Sequence, residues 1–136
     1  MPYTKDELDV LLNKPEPLQL VRCDLSKAEL SGAALSRADL TEARLRYANL
    51  SKANLDGANL SEANLHGADL REANLSDANL FGADLSGAKL NNACLAYANL
   101  YEANLSGIDL NEAKYNNGTK WPDGFDPIAA GAILEE

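Results

Sequence analysis

"ANLSKANLDGANLSEANLHGADL", residues 48–70, repeats an Ala-Asn-Leu or Ala-Asp-Leu triplet every five residues. Five is the period of no regular secondary structure. On an α-helix each residue advances about 100°, so leucines five apart step by about 140° and scatter around the cylinder. On a flat strand side chains alternate faces, and an odd spacing sends successive leucines to opposite sides. What satisfies the spacing is a chain that bends once in every five residues, always the same way, so that each leucine points to a common axis. Such a coil is a solenoid.

The register holds far beyond the quoted stretch. Leucine occupies the fifth position at every step from Leu25 to Leu110, and two residues before it stands Ala, replaced only by Cys23 and Ile108. These two slots predict an interior in which large and small side chains alternate and interdigitate. The other three slots are polar and predict the outside.

The A-[DN]-L-x-x motif, as in "ANLSE", "ADLRE" and "ADLSG", resembles the pentapeptide-repeat family over roughly residues 18–115. The resemblance implies a right-handed quadrilateral β-helix with four pentapeptides per coil; neither the hand nor the number four follows from the period. It implies about five coils, stacked at the strand spacing of about 4.8 Å into a rod of roughly 20 to 25 Å. Residues twenty apart then share an outward column.

A solenoid exposes open core and unpaired backbone at both ends, so lids are expected. Residues 1–17 read as an N-terminal capping helix and linker: Thr4 with Glu7 forms a capping box, Leu8, Leu11 and Leu12 make an apolar face, and Pro15 limits the far end. Residues 116–136 form a C-terminal cap or extension. There "GTKWPDGFDPIAAGAI" places Trp121 and Phe125 around a Pro-Asp-Gly turn, positioned to plug the last coil. This segment resembles the aromatic C-terminal extension of cyanobacterial pentapeptide-repeat proteins.

The chain of 136 residues, at a net charge of −9, fits one domain. No apolar run is long enough to span a bilayer, and the N-terminal segment lacks the basic and apolar regions of a signal peptide, so a cytoplasmic protein without membrane contact is expected. Catalysis is not expected. His66 is the single histidine; it stands in an outward slot and reads as solvated, without a partner group. Cys23 in a core slot and Cys94 in an outward one lie on the order of 15 Å apart along the axis at the strand spacing, beyond disulfide reach. No zinc-type cysteine spacing, phosphate-cradling loop or calcium loop appears, and no cofactor, metal or small-molecule substrate is expected.

The outward columns carry the remaining information. Asp39, Asn59, Asn79 and Asn99 share one column, which predicts amide ladders running along the rod. Gly32, Gly57, Gly67, Gly82, Gly87 and Gly107 share their slot with Lys, Glu, Asp and Tyr, which predicts mixed turn types. Phe81 and Tyr101 fall in one column, with Tyr97 near by and Glu62 and Glu102 alongside. An aromatic patch rimmed by acid is a candidate surface for an unidentified protein partner.

Two functions follow. The first is a non-catalytic scaffold that binds a protein. The second is implied by the resemblance: some family members mimic duplex DNA and inhibit DNA gyrase. Residues 18–115 hold thirteen acidic and nine basic residues, against roughly fourteen negative charges on an equal length of DNA at one per about 1.7 Å. The scaffold is the favoured expectation. An acidic chain also lacks the footprint of a direct nucleic-acid binder.

Overall fold

The computed structural model describes residues 3–136. Parallel bridges join each residue of the Asn/Asp slot to its counterpart one coil on, and one ladder runs Gln19, Asp39, Asn59, Asn79, Asn99, Lys120. Stacked positions are thus twenty residues apart until the last step. With one bend in every five residues, the coil has four sides.

Five consecutive amides show how the repeat closes its backbone. Leu60 N donates to Asn79 O on the next coil (2.7 Å), and Glu62 N to Phe81 O (2.8 Å). Ala63 N donates back across the turn to Leu60 O (3.0 Å), and Asn64 N reaches the preceding coil at Ala43 O (2.9 Å). The fifth amide, Ser61 N, points where no backbone carbonyl lies, and the Asn59 side chain accepts from it at 3.0 Å. This Asx turn recurs where the slot holds Asn or Asp, for example Asp39 to Thr41, Asn79 to Phe81 and Asn104 to Ser106. The amide oxygen thus serves its own turn rather than a ladder along the column, because the backbone leaves that one donor without an acceptor.

The turns are uniform, not mixed. From Arg22 to Glu112 the second outward residue has φ between 57° and 70° in all cases, at thirteen non-glycine residues and six glycines. With the Leu-to-Ala bond across it, this is the type II arrangement, which needs positive φ only at its third residue. A non-glycine residue there costs on the order of 1 kcal/mol, offset at ten of the thirteen because the N–H joins the inter-coil ladder.

Inside, the leucines from Leu20 to Leu100 are at most 2% exposed and the alanines from Ala38 to Ala98 at most 1%. The N-terminal lid is helix α1, Lys5–Leu12. Thr4 Oγ1 accepts from Glu7 N (3.1 Å) while Glu7 Oε1 accepts from Thr4 N (2.9 Å), completing the capping box. Leu8 is buried and Leu11 and Leu12 pack beside it. Helix α1 ends at Leu12, with Asn13 as its C-cap.

At the other end Tyr115 takes a leucine slot, and one extra residue enters the next turn, so that Asn99 pairs with Lys120. Asn116 accommodates it: its Oδ1 accepts from Tyr97 N and Gly118 N. Thr119 Oγ1 donates to Leu95 O at 2.8 Å. Strand β1, Lys114–Tyr115, then pairs in parallel with β2, Ile133–Leu134. Trp121 stacks on Phe125 (5.3 Å, 24°) and meets Tyr115 edge-on (5.3 Å, 86°). Both pack against the core, as a plug should.

The Asx turn makes a sharp prediction. Asn59→Ala should destabilise the fold by about 1 kcal/mol in urea unfolding, whereas Asn59→Asp should be nearly neutral at pH 7. The Asp variant should lose stability in acid. Hydrogen bonds from Ser26 hold Asp24 below the ordinary carboxylate range, as those from Arg71 do Asp69. A carboxyl lowered on folding stabilises above its unfolded value, near 3.9, and loses that contribution as pH falls toward its folded value.

Candidate functional site

Phe81 and Tyr101 occupy equivalent positions on consecutive coils, following Leu80 and Leu100. Phe81 is half-buried and Tyr101 is 46% exposed. Tyr101 is tied to the C-terminal segment, its hydroxyl donating to Asp123 Oδ1 at 3.4 Å. Glu62 lies along Gly82, where an added Cβ would come within 3.2 Å of Glu62 Cγ, and Glu102 is exposed on the far side of that glycine. Tyr97 stands at the preceding corner of the square, 61% exposed, with its ring lying across Gly118. The five residues therefore span two corners rather than one cluster.

A more tightly organised constellation lies on another side of the rod, where the sequence reading placed only a solvated histidine. His66 is half-buried and bonded through both ring nitrogens: Nδ1 to Ser86 Oγ at 2.8 Å and Nε2 to the Tyr47 hydroxyl at 3.2 Å. Ser86 Oγ donates in turn to Asp84 Oδ1 at 2.6 Å. With the serine proton directed to Asp84, the consistent assignment puts the imidazole proton on Nδ1, and the tyrosine hydroxyl donates to Nε2. The chain Tyr47–His66–Ser86–Asp84 thus crosses three coils.

Tyr47 is held by three neighbours. Its ring meets His66 edge-on at 5.3 Å and 82°. Arg46 lies over it, with Cζ 5.6 Å from the centroid. Beneath it is Gly67, where a Cβ would come within 2.4 Å of Tyr47 Cε1; only a residue without a side chain leaves room for the ring. Tyr47 still exposes 51% of its surface. The available signal was the column offset, since His66 is nineteen residues after Tyr47 and Ser86 twenty after His66.

The two cysteines are free and half-buried. Cys23 Sγ is 3.5 Å from the Tyr3 hydroxyl, which raises the Tyr3 pKa, and Cys94 Sγ is 3.1 Å from Ser76 Oγ. Among the described residues no group of His, Cys, Asp and Glu is arranged to hold a metal ion. Among the described residues no helix is long and apolar enough to cross a membrane.

The family model for pentapeptide repeats (8 copies) matches residues 19–57, 58–96 and 78–114. The chain belongs to the pentapeptide-repeat family. Its four-sided solenoid is accordingly a right-handed quadrilateral β-helix. Among solved pentapeptide-repeat structures, alr5209 from Nostoc Pcc 7120 is 38% identical, with a TM-score of 0.59 over 89% of this chain and 100% of that one. A pentapeptide repeat protein from the Arabidopsis thaliana thylakoid lumen is 34% identical over 65% of this chain and 66% of that one, with a TM-score of 0.55. Rfr23 from the cyanobacterium Cyanothece 51142 is 35% identical over 80% of this chain and 67% of that one, with a TM-score of 0.53. A search of curated proteins finds no match.

Within this pentapeptide-repeat rod, Gly67 is the test of the Tyr47 cluster. Gly67→Ala should displace the Tyr47 ring and break its bond to His66, read as a changed His66 tautomer pattern in imidazole nitrogen NMR. An unchanged pattern would show that the ring does not rest on residue 67.

Proposed function

We propose that this pentapeptide-repeat chain is a non-catalytic interaction module, a stiff rod that presents patterned side chains to a protein partner in the cytoplasm. The observation that carries this reading is the set of exposed tyrosines fixed on the frame: Tyr47 over Gly67, Tyr97 over Gly118, and Tyr101 tethered to Asp123. Large aromatic side chains immobilised before binding lose little entropy in a complex, and such residues dominate interface energetics. The Phe81, Tyr97 and Tyr101 region with Glu62 and Glu102 is one candidate face, and the Tyr47 corner is another.

The alternative, a DNA mimic acting on gyrase, receives less support from charge. Residues 18–57 hold six Lys and Arg against five Asp and Glu, and a duplex-like track needs unbroken negative charge.

Affinity capture from a native extract separates the two. The wild-type rod should retain one protein saturably, and either Phe81→Ser with Tyr101→Ser or Tyr47→Ser should abolish its retention without lowering thermal stability. Retention unaffected by variants at both faces, or none that saturates, would contradict the proposal; gyrase subunits on the wild type would favour the mimic.

A further inference from the structure

The charge of this chain is unevenly placed. Residues 18–57 carry six cations and five anions, whereas the rest of the chain carries six and sixteen. The cation-rich coils are also those that hold the pinned tyrosine. Arg44 and Arg46 flank Leu45 on the same side of the rod, both exposed, and Tyr47 follows at the corner. Arg22 is paired with Glu42 at 3.3 Å and Arg71 with Asp69 at 2.7 Å. Among the described residues neither Arg44 nor Arg46 has a carboxylate within ion-pairing distance.

The nearby carboxylates, Asp24 beside Arg44 and Asp84 beside Arg46, feel the two guanidinium charges at longer range but make their hydrogen bonds within their own turns, and of Glu42 and Glu62 in the groove beside Arg44 the first is paired with Arg22. Asp24, one coil before Arg44, accepts from Ser26 N at 3.1 Å. Asp84 accepts from Ser86 N and from Ser86 Oγ, at 3.0 and 2.6 Å. Arg46 lies with its guanidinium over the tyrosine ring, a position that leaves N–H donors at the edge of the plane for an incoming acceptor. The ring itself is clamped by His66 and Gly67.

We propose that Arg44, Arg46 and Tyr47 form a docking surface for an acidic segment of a protein partner, one that sets carboxylates on the two guanidinium groups and an apolar side chain on the exposed part of the Tyr47 ring. This deepens the interaction-module reading and rests on it. Charge complementarity selects the occupant: two arginines with no carboxylate within ion-pairing distance attract carboxylates, while the net charge of −9 on each copy opposes self-association. The His66–Ser86–Asp84 chain acts here as a brace, fixing the tyrosine so that little freedom remains to be lost on docking.

The test is direct binding by fluorescence anisotropy, using the full chain and a fluorescein-labelled peptide in which Asp and Glu flank a single Leu. The same peptide with Lys in place of the acids is the control, with a single-stranded oligonucleotide of equal charge as a second. The acidic peptide should bind. Arg46→Ala should weaken it at least about tenfold, a change of about 1.4 kcal/mol, and Arg44→Ala with Arg46→Ala should abolish it. Arg46→Lys should recover part of the loss, and Lys89→Ala, which removes an exposed cation outside both candidate faces, should leave binding unchanged. All these substitutions are on exposed or surface side chains, and unchanged thermal melting confirms the fold.

Absent binding, equal binding to the basic peptide or the oligonucleotide, or binding unchanged in the double arginine variant would overturn the proposal. So would sedimentation showing that the protein self-associates through Arg44 and Arg46. A failure here with successful capture at another face would leave the module reading standing.

Discussion

One backbone amide in five determines what this sequence is allowed to be. Coiling the chain with a type II turn at every fifth residue gives four of the amides in most interior repeats a carbonyl, on the coil ahead, on the coil behind or across the turn. The amide after each leucine has none. A short side chain two residues earlier, ending in an oxygen, can turn back to it, and only Asn and Asp combine that reach with that acceptor in the triplet found here. The hydrophobic leucine and alanine slots supply the driving force, but the Asn/Asp slot is what lets the backbone close.

The same closure governs the surface. Because coils stack at twenty-residue intervals, an outward side chain lies over the one a coil away. Where a long side chain lies flat across the next coil, a glycine there leaves room for it. Tyr47 rests on Gly67, Tyr97 on Gly118 and Glu62 on Gly82. A rigid rod with rings held in such shelves has little freedom in its display, and its faces differ only in which residues fill the outward columns. The acid-rich and cation-rich coils give this rod two ends of different character.

The interior was readable from periodicity because leucine and alanine each have one fixed environment. The lids were also readable, since Thr4 and Glu7 form a local box and Trp121 and Phe125 have no place in the repeat. The number of sides is implied only by the resemblance, and the Asn columns mislead because a column suggests contacts along it. The bond actually made is local, two residues on. The mixed outward slot suggested mixed turns, yet Glu62 and Tyr47 adopt the same positive φ as the glycines because the ladder bond from their N–H compensates. His66 looks solvated in the sequence because its partners, Tyr47 and Ser86, are one coil away in either direction, Tyr47 in a different slot.

Amide hydrogen exchange measures the closure residue by residue. Where the slot holds Asn or Asp, as before Ser61, Phe81 and Tyr101, the fifth amide should be protected like its neighbours. Where it holds Arg44, Lys89 or Cys94, no side chain accepts from the following amides of Arg46, Asn91 and Ala96, and these should exchange fast while the flanking leucine amides stay protected. Equal rates in the two sets would mean that the Asn and Asp side chains do not close the backbone.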